Sequence, residues 1–391
     1  MKEYRNENLQ RLALKLAGRP DAQDILRQVE GWQRISQKVP SWAAVEGLRY
    51  PHRLALEQCS GEAAAKYKAN LVKRLFPNGA HRMADLTGGF GVDFSFVARN
   101  FEHAIYVERQ AELCELATHN FPILGLHHVE VKNADSIEVL STLSDVDLLF
   151  LDPARRDAVG RKVVLLEDCE PNVVELLPHL MAVAQCVVLK LSTMLDFHQA
   201  LKVLSGVAEV HVFAERGECK DLLLVLQQKK PQTSTPTVYC VDDGVDFSFT
   251  IEEENSAVPT YWDATQDVAV SGYLYEPSAA ILKAGAFKCV ALRYGIKKLH
   301  PNSHLYVSEN WIKEFPGRGF KILRSCGFSK KELKSFVGTV KSANLTVRNF
   351  PSTVAELRKR LKVAEGGEEY WFATTLNDGT HSLIATEKVA N

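Results

Sequence analysis

The chain of 391 residues is long enough for two or three domains, and its composition, 46% hydrophobic and 24% charged, is typical of a globular protein. The N-terminus lacks the apolar core of a signal peptide, no apolar run reaches the ~18 residues of a membrane span, and none of the eight cysteines stands in C-x-x-C spacing. These features argue against secretion, a membrane anchor, a zinc or other metal site and a disulfide framework, and they predict a reduced, cytoplasmic protein.

The net charge of −1 conceals an uneven distribution along the chain. Residues 231–270 contain eight Asp or Glu and no Lys or Arg, whereas residues 271–391 carry 19 Lys or Arg against 10 Asp or Glu. A basic C-terminal third is typical of nucleic-acid contact, although an ordinary solvated surface would also account for it.

Residues 1–80 are predicted to form an N-terminal helical region. Apolar residues recur at helical spacing near the N-terminus and again over residues 22–35, and residues 63–76 form a further helix for which Ser60 is the predicted N-cap. This last helix stands directly before the first predicted strand. It would therefore either line the mouth of a ligand site or simply cover the sheet.

Over residues 81–230 predicted strands alternate with helices. The strands are predicted at 83–87, 104–108, 128–132, 147–151, 186–191, 207–213 and 221–228, with helices at 93–100 and 110–121. Only a short polar stretch joins the last two strands, which implies that they pair antiparallel. Five parallel strands followed by a hairpin predict an α/β fold with the Rossmann-like seven-stranded sheet of methyltransferases that use S-adenosylmethionine (SAM).

A stretch rich in Pro, Thr and Ser at residues 231–237 predicts a domain boundary, and residues 231–316 are interpreted as a linker and connecting region of mixed character. Residues 317–391 then follow the order strand, helix, strand, helix, strand, strand. The last two strands are joined by a turn that contains Asp378-Gly379, a dipeptide that favours a hairpin. This order predicts a small ferredoxin-like α+β domain.

A glycine-rich turn follows the first predicted strand of residues 81–230. The strand ends in Asp85, and residues 87–91 lead into a helix whose first N–H groups would face a ligand. The dinucleotide pattern G-x-G-x-x-G fails, because Phe94 occupies the place of its third glycine. Glu108, at the end of the second strand, is placed to accept hydrogen bonds from two ribose hydroxyls. These observations favour a single nucleoside-like cofactor such as SAM, with a bare turn in a protein of other function as the alternative.

Further candidates follow the other strands, because the carboxyl ends of parallel strands meet at one edge of the sheet. Asp135 would either bind an adenine amino group or cap the next helix. Asp152 and the carbonyl beside Pro153 would accept the N–H bonds of an amine acceptor and aim its lone pair. Lys190 is a candidate for contact with the acceptor. No cysteine stands at the ends of the fourth and fifth strands, which argues against covalent attack on a pyrimidine ring.

Two arginines stand directly after this Asp-Pro pair. Arg155 and Arg156 would either hold a phosphate or stack on a base, or they would form a salt bridge with Asp157 or Glu167.

Seven segments together resemble the class I SAM-dependent methyltransferases with a C-terminal THUMP-like domain. They are EQCSGEAAAKYKA (57–69), DLTGGFGVD (85–93), YVER (106–109), LFLDPARRD (149–157), LKLSTMLD (189–196), YEPSAAILKAG (275–285) and NFPSTVAELRKRLK (349–362). The resemblance implies a SAM loop formed by Asp85, Thr87, Gly89 and Gly91, a ribose contact at Glu108, an adenine contact at Asp135 and a catalytic motif at Asp152 and Pro153. Gly88 in the loop, with Arg155 and Lys190 beside the catalytic motif, completes the predicted site.

The resemblance also implies RNA, either tRNA or rRNA, as the substrate. The motif DPAR lacks the aromatic residue that follows the proline in enzymes that methylate exocyclic amines, so the modified atom stays open. Two alternatives stand beside this prediction. One is methylation of a small molecule or a protein, and the other is a catalytically silent RNA-binding or assembly factor that keeps the fold.

Overall fold

The computed structural model describes residues 2–154, 166–228 and 235–389. Contacts divide the chain into two compact units, of which the first comprises Met1–Phe213 with Lys220–Ser234 and the second Ala214–Cys219 with Thr235–Asn391. The boundary predicted at residues 231–237 falls largely on residues 229–234, which lie outside the described part of the chain.

In the described residues 2–79, the first unit has five α-helices, as the sequence predicts for residues 1–80. They are α1 (Leu9–Lys15), α2 (Ala22–Lys38), α3 (Pro40–Ala43), α4 (Arg53–Gln58) and α5 (Glu62–Leu75). The prediction that Ser60 caps α5 is wrong. Gly61 occupies the N-cap position without a side-chain hydrogen bond, and the Ser60 hydroxyl donates to Asp93 instead, at 2.7 Å.

The strands and helices of the α/β part follow in alternation. The strands are β1 (Ala80–Asp85), β2 (Phe101–Glu108), β3 (Val129–Asn133), β4 (Val146–Leu151), β5 (Ala184–Leu191), β6 (Val207–Glu215) and β7 (Glu218–Gln227). The helices are α6 (Val92–Val97), α7 (Ala111–Ile123), α8 (Ser136–Leu140), α9 (Val173–Val183) and α10 (Phe197–Val203).

These seven strands lie in the order β3-β2-β1-β4-β5-β7-β6. Strands β1 to β5 pair in parallel, and β7 pairs antiparallel with β5, which confirms the predicted Rossmann-like sheet. Leu148 and Leu149 in β4 are both fully buried. Since successive residues of a strand point to opposite faces, both faces of the sheet are covered at this strand.

The second unit contains nine named strands and five helices in its described residues from 235 to 389. They are β8 (Thr237–Asp242), β9 (Val245–Thr250), α11 (Ile251–Ser256), β10 (Tyr273–Pro277), α12 (Ala279–Ala284), α13 (Cys289–Tyr294), β11 (Lys297–Lys298), β12 (Tyr306–Ser308), β13 (Gly317–Cys326), α14 (Lys330–Val337), β14 (Asn344–Arg348), α15 (Val354–Leu361), β15 (Glu369–Thr375) and β16 (His381–Lys388). Seven strands form one sheet in the order β11-β12-β10-β13-β16-β15-β14.

The last six elements of this unit have the predicted order of a ferredoxin-like domain. Trp371 of β15 packs with Leu333 of α14 and Leu357 of α15, whereas the next residue, Phe372, packs with Phe320 on the opposite face. The two helices therefore cover one face of the sheet. Strands β10 to β12, from the predicted connecting region, extend the same sheet. Among the described residues, no helix is long and apolar enough to cross a membrane.

Candidate active site

The glycine-rich turn connects β1 to α6 and is shaped by close contacts with the core. A Cβ atom on Gly88 would lie 2.1 Å from the Tyr106 ring. Gly91 has a φ of +82°, and a Cβ atom there would lie 2.9 Å from the Phe121 ring. Gly89 also has a positive φ, of +56°, but its nearest neighbour is the Thr87 carbonyl oxygen at 3.9 Å. The backbone of Gly89 is thus accessible to a ligand. Packing against aromatic rings requires glycine at residues 88 and 91, and a positive φ favours glycine at residues 89 and 91.

Two carboxylates hold the turn in place. Asp85 is buried at the end of β1 and accepts a hydrogen bond of 2.9 Å from the Thr87 N–H. Burial raises the pKa of Asp85 to about 7. Glu108, at the end of β2, accepts from the Gly89 N–H at 3.0 Å through one carboxylate oxygen and from the Gln110 N–H at 2.9 Å through the other.

The turn is also connected to the end of β4. The backbone N–H of Asp152 donates to the Thr87 hydroxyl at 2.6 Å, and the Leu86 N–H donates to the Phe150 carbonyl at 3.0 Å. The predicted residues at the ends of β1, β2 and β4 are therefore brought together at one edge of the sheet. Pro153, buried, follows Asp152 at this edge.

Two further predicted site residues are Asp135 and Arg155. Asp135, which is exposed, caps α8 by accepting a 2.8 Å hydrogen bond from the Ile137 N–H. This is the helix-capping role that the sequence offered as the alternative to adenine binding. The contact of Asp135 with adenine stays a prediction. Arg155, with the neighbouring Arg156 and its suggested partner Asp157, lies among residues 155–165, outside the described part of the chain.

Lys190 lies at the end of β5 and contacts two carboxylates. Its Nζ donates to Asp152 Oδ2 at 2.6 Å and lies 3.4 Å from Asp93 Oδ2. Burial alone would lower the pKa of Lys190, but the charges of Asp152 and Asp93 outweigh burial and hold that pKa well above its usual value. Lys190 therefore stays protonated at neutral pH.

Behind Lys190 lies a buried group of charges that the sequence reasoning missed. Asp93 Oδ1 forms an ion pair of 2.9 Å with Lys68 Nζ, without the geometry of a hydrogen bond. Lys68, only 1% exposed, also donates to Asp221 at the start of β7. The one signal in the sequence was a charged residue beside a long apolar run, as Asp221 stands before residues 222–226.

The N-terminal helices contribute to this site in two ways. Trp42 and Tyr50 pack against Phe90 of the glycine-rich turn, with ring centroids 5.2 and 6.5 Å apart respectively. Helix α5 supplies Lys68 to the buried charges. Helix α5 therefore stabilises the site through Lys68, besides covering the sheet.

Comparison with known proteins finds similarity at both the domain and the whole-chain level. Residues 273–316 match a family described as a ferredoxin-like domain, and residues 317–388 match one described as THUMP domain-like. The comparison with curated proteins found no similar sequence. A solved structure from Porphyromonas gingivalis W83, of a protein proposed to be a methyltransferase, is 36% identical, with a TM-score of 0.88 over 100% of this chain and 96% of that one.

More distant structures align with part of the chain. A protein of Pyrococcus horikoshii proposed to be an RNA methyltransferase is 16% identical, with a TM-score of 0.36 over 49% of this chain and 97% of that one. The O-methyltransferase TomG of Streptomyces achromogenes, solved in complex with SAM, is 18% identical, with a TM-score of 0.34 over 43% of this chain and 81% of that one.

Proposed function

Since the chain belongs to the family of class I SAM-dependent methyltransferases with a C-terminal THUMP-like domain, we propose that it transfers a methyl group from SAM to RNA. The observation that carries the proposal is the meeting of three groups at neighbouring strand ends. These are the glycine-rich turn, the Glu108 carboxylate and the Asp152 carboxylate. The first two suit a nucleoside, and the third suits an acceptor that donates a hydrogen bond.

The residues of the turn fit a nucleoside cofactor. The open space beside Gly89 allows close approach to the backbone, and Glu108 would exchange its hydrogen bond to Gly89 for the ribose hydroxyls. Asp85 and Thr87 hold the turn in shape, and Asp135 would contact the adenine. When bound, SAM supplies a methyl group that its sulfonium already activates for in-line displacement.

The protein's main task in such a displacement is to orient the acceptor. Lys190 occupies Asp152 Oδ2, while Oδ1 has no hydrogen-bond partner in the part of the chain that the structure describes. The Asp152 side chain is 41% exposed, so this oxygen can accept a hydrogen bond from the acceptor and direct its lone pair. The proton displaced from the acceptor then passes to this carboxylate or to solvent.

The RNA part of the proposal is supported by a basic surface on the THUMP-like domain. Helices α14 and α15 and the residues that follow them expose six lysines for which the described residues offer no ion-pair partner, namely Lys330, Lys331, Lys334, Lys341, Lys359 and Lys362. We call these six residues the lysine face. Lysines on one side of a domain attract the phosphate backbone irrespective of its sequence.

Calorimetric titration of SAM and of its demethylated product tests the cofactor. We expect wild-type protein to bind both and Glu108→Ala to lose at least tenfold in affinity, since about 1.4 kcal/mol is a modest value for lost hydrogen bonds to a carboxylate. Glu115→Ala, which removes an exposed carboxylate of α7, is the matched control and should bind normally. Absence of binding by the wild type, also with total RNA present, contradicts the proposal.

Transfer of labelled methyl groups from SAM into cell extracts tests the substrate. We expect label in the RNA fraction with wild-type protein and at most one hundredth of it with Asp152→Ala, which should still bind SAM. Label in proteins or small molecules but not in RNA would replace RNA with one of those substrates. Full transfer by Asp152→Ala would remove the proposed role of Asp152.

A further inference from the structure

We propose that Asp93 is a positioning residue for methyl transfer: it anchors the Lys190 ammonium group, and Lys190 in turn fixes the Asp152 carboxylate so that Oδ1 faces the acceptor. This inference rests on the proposed function, but its key measurement does not need an active enzyme.

The contacts run in sequence from a buried anchor to the exposed carboxylate. Lys190 Nζ lies between Asp93 Oδ2, at 3.4 Å, and Asp152 Oδ2, at 2.6 Å. The side chains of Lys190 and Asp93 are each 12% exposed, whereas that of Asp152 is 41% exposed. Asp152 is thus the most exposed of the three side chains, and its contact with Lys190 orients its carboxylate.

Asp93 is itself held by two groups of the N-terminal region. Its Oδ2 accepts a 2.7 Å hydrogen bond from the Ser60 hydroxyl, and its Oδ1 pairs with Lys68 of α5 at 2.9 Å. Asp93 is the second residue of α6, directly after the glycine-rich turn. Its carboxylate therefore connects the helix that follows the turn with the ends of β4 and β5.

The charges explain why this arrangement persists. The charges that act on Lys190 include those of Asp152, Asp93 and Asp221, and Lys190 in turn acts on Cys59. Lys68 pairs with the same Asp93 and Asp221, and the charges of Asp93 and Asp152 act on Asp85. Burial would raise the pKa of Asp93, but Lys68 and Lys190 lower it to about 2. Without the Asp93 charge, fewer carboxylates would offset the effect of burial, and the pKa of Lys190 would therefore fall. A neutral Lys190 amine would hold the Asp152 carboxylate less firmly.

Turnover of Asp93→Asn measures the effect on the reaction. We expect kcat to fall at least tenfold, the Kd for SAM to stay within threefold, and the alkaline limb of kcat to move to lower pH. Ser60→Ala, which removes only one contact of Asp93, should shift the profile in the same direction by less. The control is Glu209→Gln, which neutralises a carboxylate of similar burial that pairs with Arg74 and His211 and not with Lys190. A normal kcat and pH profile in Asp93→Asn would overturn the proposal.

Competitive acetylation of Lys190 tests the anchor independently of turnover. Peptide mass spectrometry at pH 9 should show Lys190 protected in wild-type and Glu209→Gln protein and acetylated about tenfold faster in Asp93→Asn, because only the neutral amine reacts. Equal rates in all three proteins would overturn the inference. If wild-type protein transfers no methyl group, the proposed function fails, while the acetylation rates still decide whether Asp93 anchors Lys190.

Discussion

Asp85 shows how one residue makes the glycine-rich turn sensitive to pH. Asp85 is 2% exposed, and burial raises the pKa of its carboxyl group to about 7, although the hydrogen bond from the Thr87 N–H partly offsets this rise. Because the folded-state pKa lies above the ordinary value of 3.8, the folded protein binds the proton more tightly than the unfolded chain does. Stability is therefore lost as the pH rises from about 4 through 7.

Asp85→Asn tests this dependence, since asparagine still accepts the Thr87 hydrogen bond but does not titrate. Between pH 5 and pH 8 the free energy of unfolding of wild-type protein should fall by about 2–4 kcal/mol relative to the variant. Urea unfolding at pH 5, 6, 7 and 8 measures the difference. If the free energy of unfolding depends on pH in the same way in both proteins, the pKa of Asp85 in the folded protein is not raised, and this expectation is wrong.

The positions of some site residues were predictable because each of these residues ends a parallel strand. Asp85, Glu108 and Asp152 each end a parallel strand, and such ends converge. Ser60 was mispredicted as a cap because capping rules consider only the adjacent helix, whereas its hydroxyl donates to Asp93, 33 residues further along the chain. The pairing of Lys68 with Asp221, 153 residues apart, left no local pattern from which it could be predicted.

At the scale of elements, the seven strands of the first unit and the helices α6 and α7 between the parallel ones were predictable from apolar runs and their periodicity. The second unit was harder to predict over residues 231–316, because β11 and β12 have only two and three residues. Strands of that length show no alternation of apolar and polar residues. Their place in the sheet depends on pairing with β10, which the sequence pattern does not reveal.

The ion pair between Lys68 and Asp221 joins α5 to β7 inside the first unit. Asp221→Ala leaves the Lys68 charge buried with one carboxylate fewer, and we expect a loss of about 3 kcal/mol in the free energy of unfolding. The double variant Lys68→Met/Asp221→Leu removes both charges and should recover part of that loss, because apolar side chains of similar size fill the space. The recovery is incomplete because, among the described residues, Asp93 then keeps only Lys190 as a cationic partner. Urea unfolding compares the variants. A double variant that loses as much free energy of unfolding as Asp221→Ala, or more, would contradict this expectation.

At the scale of the whole molecule, acidic and basic side chains are concentrated in different parts of the chain. The candidate site in the first unit is rich in carboxylates, whereas the lysine face belongs to the last 62 residues of the chain, 330–391. The excess of basic residues was visible in the sequence, but their concentration on α14, α15 and the residues after them required the packing of both helices on one face of the sheet. Binding of RNA and methyl transfer should therefore respond to different substitutions.

Lys331→Ala/Lys359→Ala tests this separation. If each lysine neutralises one phosphate, the plot of log affinity for RNA against log salt should lose about 0.7–0.9 in slope per residue, or about 1.6 for the pair. Affinity for SAM should be unchanged. Lys321→Ala, which removes an exposed lysine that pairs with Glu387 on β16, should leave the salt slope as it is in the wild type. Filter binding at four salt concentrations supplies the slopes. An unchanged slope in the double variant would show that RNA, if bound, contacts the protein away from the lysine face, and an equal loss in Lys321→Ala would show a diffuse charge effect.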